Sequence, residues 1–340
     1  MTPREQFNSV YLSAHRNNAH SKWLADAAEI PESAIQVNLD GQGKPVAALL
    51  ALPVKFAYQQ GLLDASVMKY VTTRPEARAR GAATHLVATT LEAARSRGEA
   101  LCVIVPPRRH LFFFYDRFSF ATVLYVDELR YTSMHRFEGG EGDLVEPSGE
   151  ILRGLQLRYG CGPVFSDEDF ERMRDEFSTL PNPHILAAAA GDERGILFAT
   201  EVDNNVHVRM LLADNEQLRL TMLHELRRLE PQKTFVVDTP PLSGDRNYLR
   251  SRGMVRIVNP KPMFDAMAAR HPGLKYVFRI TDGLLPENNG CYRIADGRCE
   301  RLDSVAERPD LDVNIATLAS ILFSSSKMGE IFNLPTRRPM

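Results

Sequence analysis

The sequence predicts a mixed α+β protein in three parts, with helices flanking mixed β-sheets. Three observations carry that reading. Residues 67–98 read as a strand, a small-residue loop and an amphipathic helix in direct succession. The same plan of strands, helix and short buried strand returns between residues 151 and 262. Residues 263–340 then change character, to a helix, several strands and a closing helix. The expected units are therefore 1–137, a linker at 138–150, 151–262 and 263–340. A chain of 340 residues has room for them at about 150 residues per domain.

Taken in order, residues 1–30 carry Phe7, Tyr11 and His15, then Trp23, Leu24 and Ala27, at helical spacing, and Pro31 closes the stretch. Ile35–Leu39 and Pro45–Pro53 read as a strand pair around Asp40-Gly41-Gln42-Gly43. In the next strand, Val67, Lys69 and Val71 alternate in facing with Met68 and Tyr70, and β-branched residues run to Thr73. Pro75 breaks it. A helix opens near Ala82, turns Leu86, Val87 and Leu91 to the core, and stops at Gly98. Ala100–Val105 is wholly apolar, as in a strand buried on both faces. Pro106–His110 leads into an aromatic run at Leu111–Val123, and Leu124–Tyr131 closes the first part.

Residues 138–150 are rich in Gly and Glu and read as a linker. In the second part Ile185–Ala190, Ile196–Val202 and Val206–Leu211 are expected strands. Asn215–Leu229 is an amphipathic helix and Thr234–Val237 a short buried strand. In the third, Met263–Ala269 and Asp312–Phe323 are helices. Lys275–Ile280, Gly290–Ile294 and Arg298–Leu302 are strands, the last two joined by an Asp296-Gly297 hairpin turn.

Composition narrows the function. A formal net charge of −2 gives no broad basic field, so nucleic acid is not an expected partner. No apolar run of about 18 residues is present to span a membrane, and the N-terminus lacks an apolar signal core. Cys102, Cys161, Cys291 and Cys299 are scattered without a C-x-x-C pair. Neither a disulfide scaffold nor a metal site is expected, and a cytoplasmic location fits.

The chemistry concentrates at the join of residues 78–84. A strand that runs through a small-residue loop into a helix points several free N–H groups at one place, and the helix dipole favours an anion there. Arg74, Arg78 and Arg80 add positive charge, and a pyrophosphate fits. The dinucleotide fingerprint G-x-G-x-x-G and the Walker loop are both missing. Arg78-x-x-Gly81-x-Ala83 instead resembles the R/Q-x-x-G-x-G/A acyl-CoA signature of the GCN5-related N-acetyltransferases. The resemblance implies that Val71, Thr72 and Thr73 pair with the pantetheine amides. It implies that Arg78, Ala79, Arg80, Gly81, Ala82, Ala83 and Thr84 hold the pyrophosphate. His110 and Leu111 would flank the acyl end, although His110 reads equally well as a loop histidine; His85, inside the helix, reads as structural.

Tyr115-Asp-Arg117-Phe118-Ser-Phe120 stands where that family carries hYxRxGF, with Ser119 in place of the usual glycine. A phenol of pKa about 10 near the thioester sulfur can protonate the leaving thiolate. Tyr115 also follows Phe112, Phe113 and Phe114, so it reads as one more packed aromatic too.

In the second part, Tyr248–Val255 echoes this segment, but the loop Ala213-Asp214-Asn215-Glu216-Gln217 has no glycine and two acids, which repel a pyrophosphate. The second part is therefore expected to be degenerate. The third resembles a sterol-carrier-protein-2-like domain. The three-part order resembles the Eis (enhanced intracellular survival) acetyltransferases. That resemblance implies a tandem acetyltransferase fold and acetyl-CoA as co-substrate. The acceptor would be a primary amine, on an aminoglycoside or a lysine, with polyamines a further candidate; the enzyme would be a homo-oligomer, commonly a hexamer. It also implies that the C-terminal carboxylate, here on Met340, accepts the amine proton. The ending Thr336-Arg-Arg-Pro-Met340 departs from the family's longer, aromatic tail, and Asp64 or a water is the substitute. The alternative reading is a CoA sensor without catalysis, or a carrier of lipid or another apolar ligand in the third part.

Overall fold

A computed structural model describes residues 1–15, 18–26, 30–239, 249–302 and 308–323. Helix α1 (Pro3–Ala14) starts at a reciprocal cap: Thr2 Oγ1 accepts from Glu5 N, and Glu5 Oε2 accepts from Thr2 N at 2.8 Å. The single helical stretch expected over residues 1–30 is two helices. The chain turns extended at His15, and the Asn18 side chain accepts from Ser21 N at 2.9 Å to start α2 (Ala19–Asp26). Strand β1 (Ile35–Leu39) pairs with β2 (Pro45–Tyr58), which turns at Gln59-Gln60, both at positive φ, into β3 (Gly61–Thr73). Helix α3 (Ala82–Ser96) follows and ends before Gly98, at φ +81°. It returns the chain to β4 (Leu101–Ile104), parallel to β3. Then come α4 (Arg109–Asp116) and β5 (Ala121–Tyr131).

Asp143–Val145, read as linker, forms edge strand β6, because Leu144 and Val145 tolerate extended backbone and pair with a free edge further on. Helix α5 (Gly149–Tyr159) already begins inside the expected linker, capped by Ser148. Next come β7 (Gly162–Val164), α6 (Asp167–Ser178), β8 (His184–Ala190), β9 (Glu193–Val202) and β10 (Asn205–Ala213). Then α7 (Glu216–Leu229), β11 (Phe235–Thr239) and β12 (Leu249–Ile257) complete this part. The repeat read from the sequence is visible in the pairing. β10 and β11 are parallel, as β3 and β4 are, and both β3 and β10 lose register through a bulge against the preceding strand.

One continuous sheet unites the first two parts, in the order β1-β2-β3-β4-β12-β5-β11-β10-β9-β8-β6, with β7 on β2. Strand β12 inserts antiparallel between β4 and β5, so the parts exchange strands at their seam. Gly253 on β12 permits the close approach, since a Cβ there would lie 2.8 Å from Leu124 Cδ1 and 3.2 Å from the Ile104 carbonyl oxygen.

The third part holds α8 (Pro260–Arg270), β13 (Tyr276–Thr281), β14 (Gly290–Ala295), β15 (Arg298–Leu302), β16 (Leu311–Asn314) and α9 (Ile315–Phe323). Its described strands run β15-β14-β13-β16. Asp296 and Gly297 both take positive φ in the expected hairpin turn. The helix expected from Asp312 starts at Ile315, because Leu311–Asn314 pair with β13 first. Phe264, Met267, Phe278, Ile315 and Leu318 share one core with Phe56, Leu101, Val103 and Val255 of the large sheet. The apolar side chains of this part thus cover that sheet. The same sheet face carries α1 and α2 further along, while α3 and α4 cover the opposite face. A fully buried ion pair locks the contact: Arg256 donates to both Asp282 oxygens at 2.6 and 2.7 Å. No helix among the described residues is long and apolar enough to cross a membrane.

Candidate active site

The site starts where β3 and β4 part. Their pairing ends at Met68↔Ile104, while β3 continues to Thr73 paired with β2 only. Beyond that point no strand covers the β4 side of Lys69–Thr73, where an extended segment that carries amides can be added; Thr72 Oγ1 donates to Tyr70 O at 2.9 Å and Arg78 Nε to Thr73 O at 3.4 Å. A bulge lies at the same place. Lys69 pairs with Leu50 and Thr72 with Ala48, so Tyr70 and Val71 together oppose Leu49, and Tyr70 takes φ +55°. The strict alternation expected through this strand fails here. Met68 and Val71 both pack on the α3 side, whereas Tyr70 packs with α1 and α2.

The loop beyond β3 is built to leave donors free. Ala79 and Gly81 both adopt positive φ, at +60° and +83°. Gly81 is the N-cap of α3 and provides no side-chain cap, so the first N–H groups of the helix keep their orphan status. A Cβ on Gly81 would meet nothing within 4 Å; the backbone angle, not crowding, favours glycine there. Arg78, Ala79 and Arg80 are exposed, and Ala82, Ala83 and Thr84 half-buried. Arg74 is different. Its Nε donates to Pro45 O at 2.7 Å and an Nη donates to Ser9 Oγ at 2.9 Å, so it ties the loop to β2 and α1. The corresponding end of α7 is closed. Asn215 Oδ1 accepts from Leu218 N at 2.8 Å, and the Asp214 carboxylate accepts from Arg194 N and from Arg158.

Tyr115 is buried on α4, in the same cluster as Met68 and Ile104. Its ring lies 5.0 Å from that of Phe114 and 5.8 Å from that of Phe120. Burial pushes its pKa above that of a free phenol, which keeps the proton on the oxygen. Ser119 holds φ +62°, which accounts for the glycine usual at that place in the motif. His110 is exposed in the first turn of α4, and Leu111 beside it packs on the cluster around Tyr115. His85 is exposed on α3. Asp64 lies four residues before Met68, exposed and paired with Lys55 at 2.6 Å, about 13 Å short of the parting strands. Met340 and Tyr248 lie outside the described residues. Residues 249–255, the rest of the Tyr248 echo, lie in β12.

One further group leaves no trace in local sequence. On the face opposite α3, Lys69 Nζ donates to Glu176 Oε2 at 2.5 Å, and Tyr70 Oη donates to Glu176 Oε1. His20 and Trp23 of α2 lie beside Tyr70. Only the fold unites residues 107 positions apart, as Lys69 and Glu176 are.

Residues 5–123 match the family of acetyltransferase (GNAT) domains. The chain carries a GCN5-related acetyltransferase domain. Residues 264–331 match the sterol carrier protein domain family. Across nearly its whole length the chain superposes on Eis1 from Mycobacterium abscessus, with a TM-score of 0.68 and 16% identity over 93% of this chain and 86% of that one. A probable N-acyltransferase from Enterococcus faecalis V583 gives a TM-score of 0.71 at 13% identity, covering 94% and 87%. A GCN5-related N-acetyltransferase from Anabaena variabilis ATCC 29413 gives 0.67 at 14%, covering 94% and 87%. At these identities the likeness establishes the fold. No curated protein sequence matches the chain. The acetyltransferase is thus a mixed α+β protein of Eis-like architecture, and its domain type implies acetyl-CoA as co-substrate.

Proposed function

We propose that the protein moves acetyl from acetyl-CoA to a primary amine by direct attack in a ternary complex. The uncapped N-terminus of α3, beside the free edge of β3, is the observation that supports this most. In this reading the N–H groups of residues 78–84 and the side chains of Arg78 and Arg80 bind the pyrophosphate. The free edge at Val71, Thr72 and Thr73 takes the pantetheine amides as an added strand, and the acyl end reaches the parting strands near His110 and Leu111. The amine attacks from the face opposite α3, and Tyr115 protonates the departing thiolate. Aminoglycosides, polyamines and lysine side chains are the acceptor classes proposed. The protein works as a homo-oligomer, with units at 1–137, 151–262 and 263–340, which sedimentation velocity and limited proteolysis examine.

The test mixes the full-length chain with acetyl-CoA and, in turn, kanamycin, spermidine and a lysine peptide. The reading expects free thiol that depends on amine, and a gain of about 42 Da on the acceptor as an acetyl group replaces a hydrogen. Failure of acetyl-CoA to bind at millimolar concentration overturns it.

A further inference from the structure

As a neutral amine nitrogen bonds to the thioester carbon it must shed a proton. We propose that His20 accepts the amine's proton at Nε2, and that Thr179 and Glu176 of α6 and its C-terminal cap position the ring. This inference rests on the acetyl-transfer reading above.

Hydrogen bonding selects the tautomer. The Thr179 hydroxyl donates to the Glu176 carbonyl oxygen at 2.7 Å, so it accepts from His20 Nδ1 at 3.3 Å. With the proton on Nδ1, the neutral ring keeps a lone pair on Nε2, which has no partner among the described residues. Burial lowers the His20 pKa most; Glu176 opposes that shift and Lys69 adds to it. The ring is thus neutral, and basic, near pH 7. It lies 5.7 Å from the Tyr70 ring and 5.9 Å from the Trp23 ring, on the face proposed for the acceptor. Tyr70 follows Met68 by two residues, about 7 Å along the strand from where β3 and β4 part. The acceptor amine must therefore sit between the parting strands and Nε2, within hydrogen-bond reach of the ring or one water away.

Among the described residues, the charged and titratable groups facing His20 come from three elements. Glu176 is on α6, Lys69 and Tyr70 are on β3, and His15 ends α1. Lys69 and Glu176 neutralise each other at 2.5 Å, which leaves the imidazole as the uncharged base among them. Glu176 also fixes Tyr70 at the bulge, so the second part of the chain helps to build the site even though its own phosphate loop is closed. In the step itself the neutral amine attacks the thioester carbon. The N–C bond forms, the C–S bond breaks, the amine proton passes to His20 Nε2, and the thiolate takes the proton of Tyr115. Solvent then carries the imidazolium proton back to the tyrosinate.

The experiment compares wild type with His20→Gln, using the most reactive amine of the panel above and acetyl-CoA. His20→Gln is expected to lose about 10²-fold or more in kcat/KM at pH 7, the usual contribution of a general base. Its acetyl-CoA affinity by calorimetry and its thermal midpoint stay near wild type. The wild-type profile of log kcat/KM shows an inflection below pH 6.5 in addition to that of the amine, and the variant lacks it. In His20→Ala, added imidazole restores part of the rate. Wild-type rate with an unchanged pH profile in the folded His20→Gln overturns the role of His20 and leaves acetyl transfer standing. A wild type that binds acetyl-CoA but acetylates none of the amines removes the reading beneath it.

Discussion

Replacing Gly81 with Glu places a carboxylate at the mouth of the phosphate loop. A side chain there meets no protein atom within 4 Å of its Cβ, so no steric clash confuses the result. The backbone at φ +83° costs a residue with a Cβ roughly 1–2 kcal/mol. A carboxylate at a helix N-terminus offsets about 0.3–1 kcal/mol of that. The fold therefore loses about 1 kcal/mol, a thermal shift of a few degrees for a chain of this size. Binding suffers more. A carboxylate about 6 Å from a phosphoryl charge is repelled by about 3 kcal/mol at an effective dielectric constant near 20. Salt at physiological strength reduces that to about 2 kcal/mol, or about 30-fold in affinity per charge. Calorimetry with acetyl-CoA on wild type, Gly81→Glu and Gly81→Ala separates charge from backbone. The glutamate variant is expected to bind about 30-fold more weakly or worse, and the alanine variant within about tenfold of wild type. Equal affinity in all three, with melting curves that agree, refutes phosphate binding at this loop.

Tyr115→Phe should reduce kcat by about 10²-fold with little change in acetyl-CoA affinity, read by thiol release and calorimetry. Because burial holds the phenol protonated, the wild-type rate should show no descending alkaline limb up to about pH 10; a fall beginning at about pH 8 counts against Tyr115 as the acid. Asp282→Ala strands Arg256 in the core and should cost about 3–5 kcal/mol in urea unfolding, whereas a cost under about 1 kcal/mol contradicts a buried lock between the third part and the sheet. Since Asn215 and Asp214 occupy the equivalent helix end in the second part, calorimetry should return one acetyl-CoA per chain, and two per chain refutes the closed loop.

The strand, loop and helix from Gly61 to Gly98 were legible because local rules determine them: Pro75 cannot continue the strand, Gly81 accepts positive φ, and Gly98 ends the helix. At the second loop the missing glycine and the acids Asp214 and Glu216 stand in the sequence, but the cap that Asn215 places on Leu218 N becomes visible only in the fold. The bulge at Tyr70 was hidden, because tyrosine and valine suit either face and one extra residue reverses the facing beyond it. Arg74 looked like a phosphate ligand. Ser9 and Pro45, which occupy it, approach it only in the folded chain. Strand β12 between β4 and β5, and Glu176 on Lys69 and Tyr70, are pairings across long stretches of chain, which neither periodicity nor motif spacing records. The two helices before residue 30 needed only the cap at Asn18 to be distinguished from one.

The most direct measurement is a crystal structure of the full chain with acetyl-CoA bound. The account predicts the pyrophosphate against the N–H groups of Gly81, Ala82 and Ala83, with the pantetheine laid along Val71–Thr73 and the sulfur beside Tyr115. A nucleotide seated elsewhere, or a free β3 edge covered by protein, contradicts it.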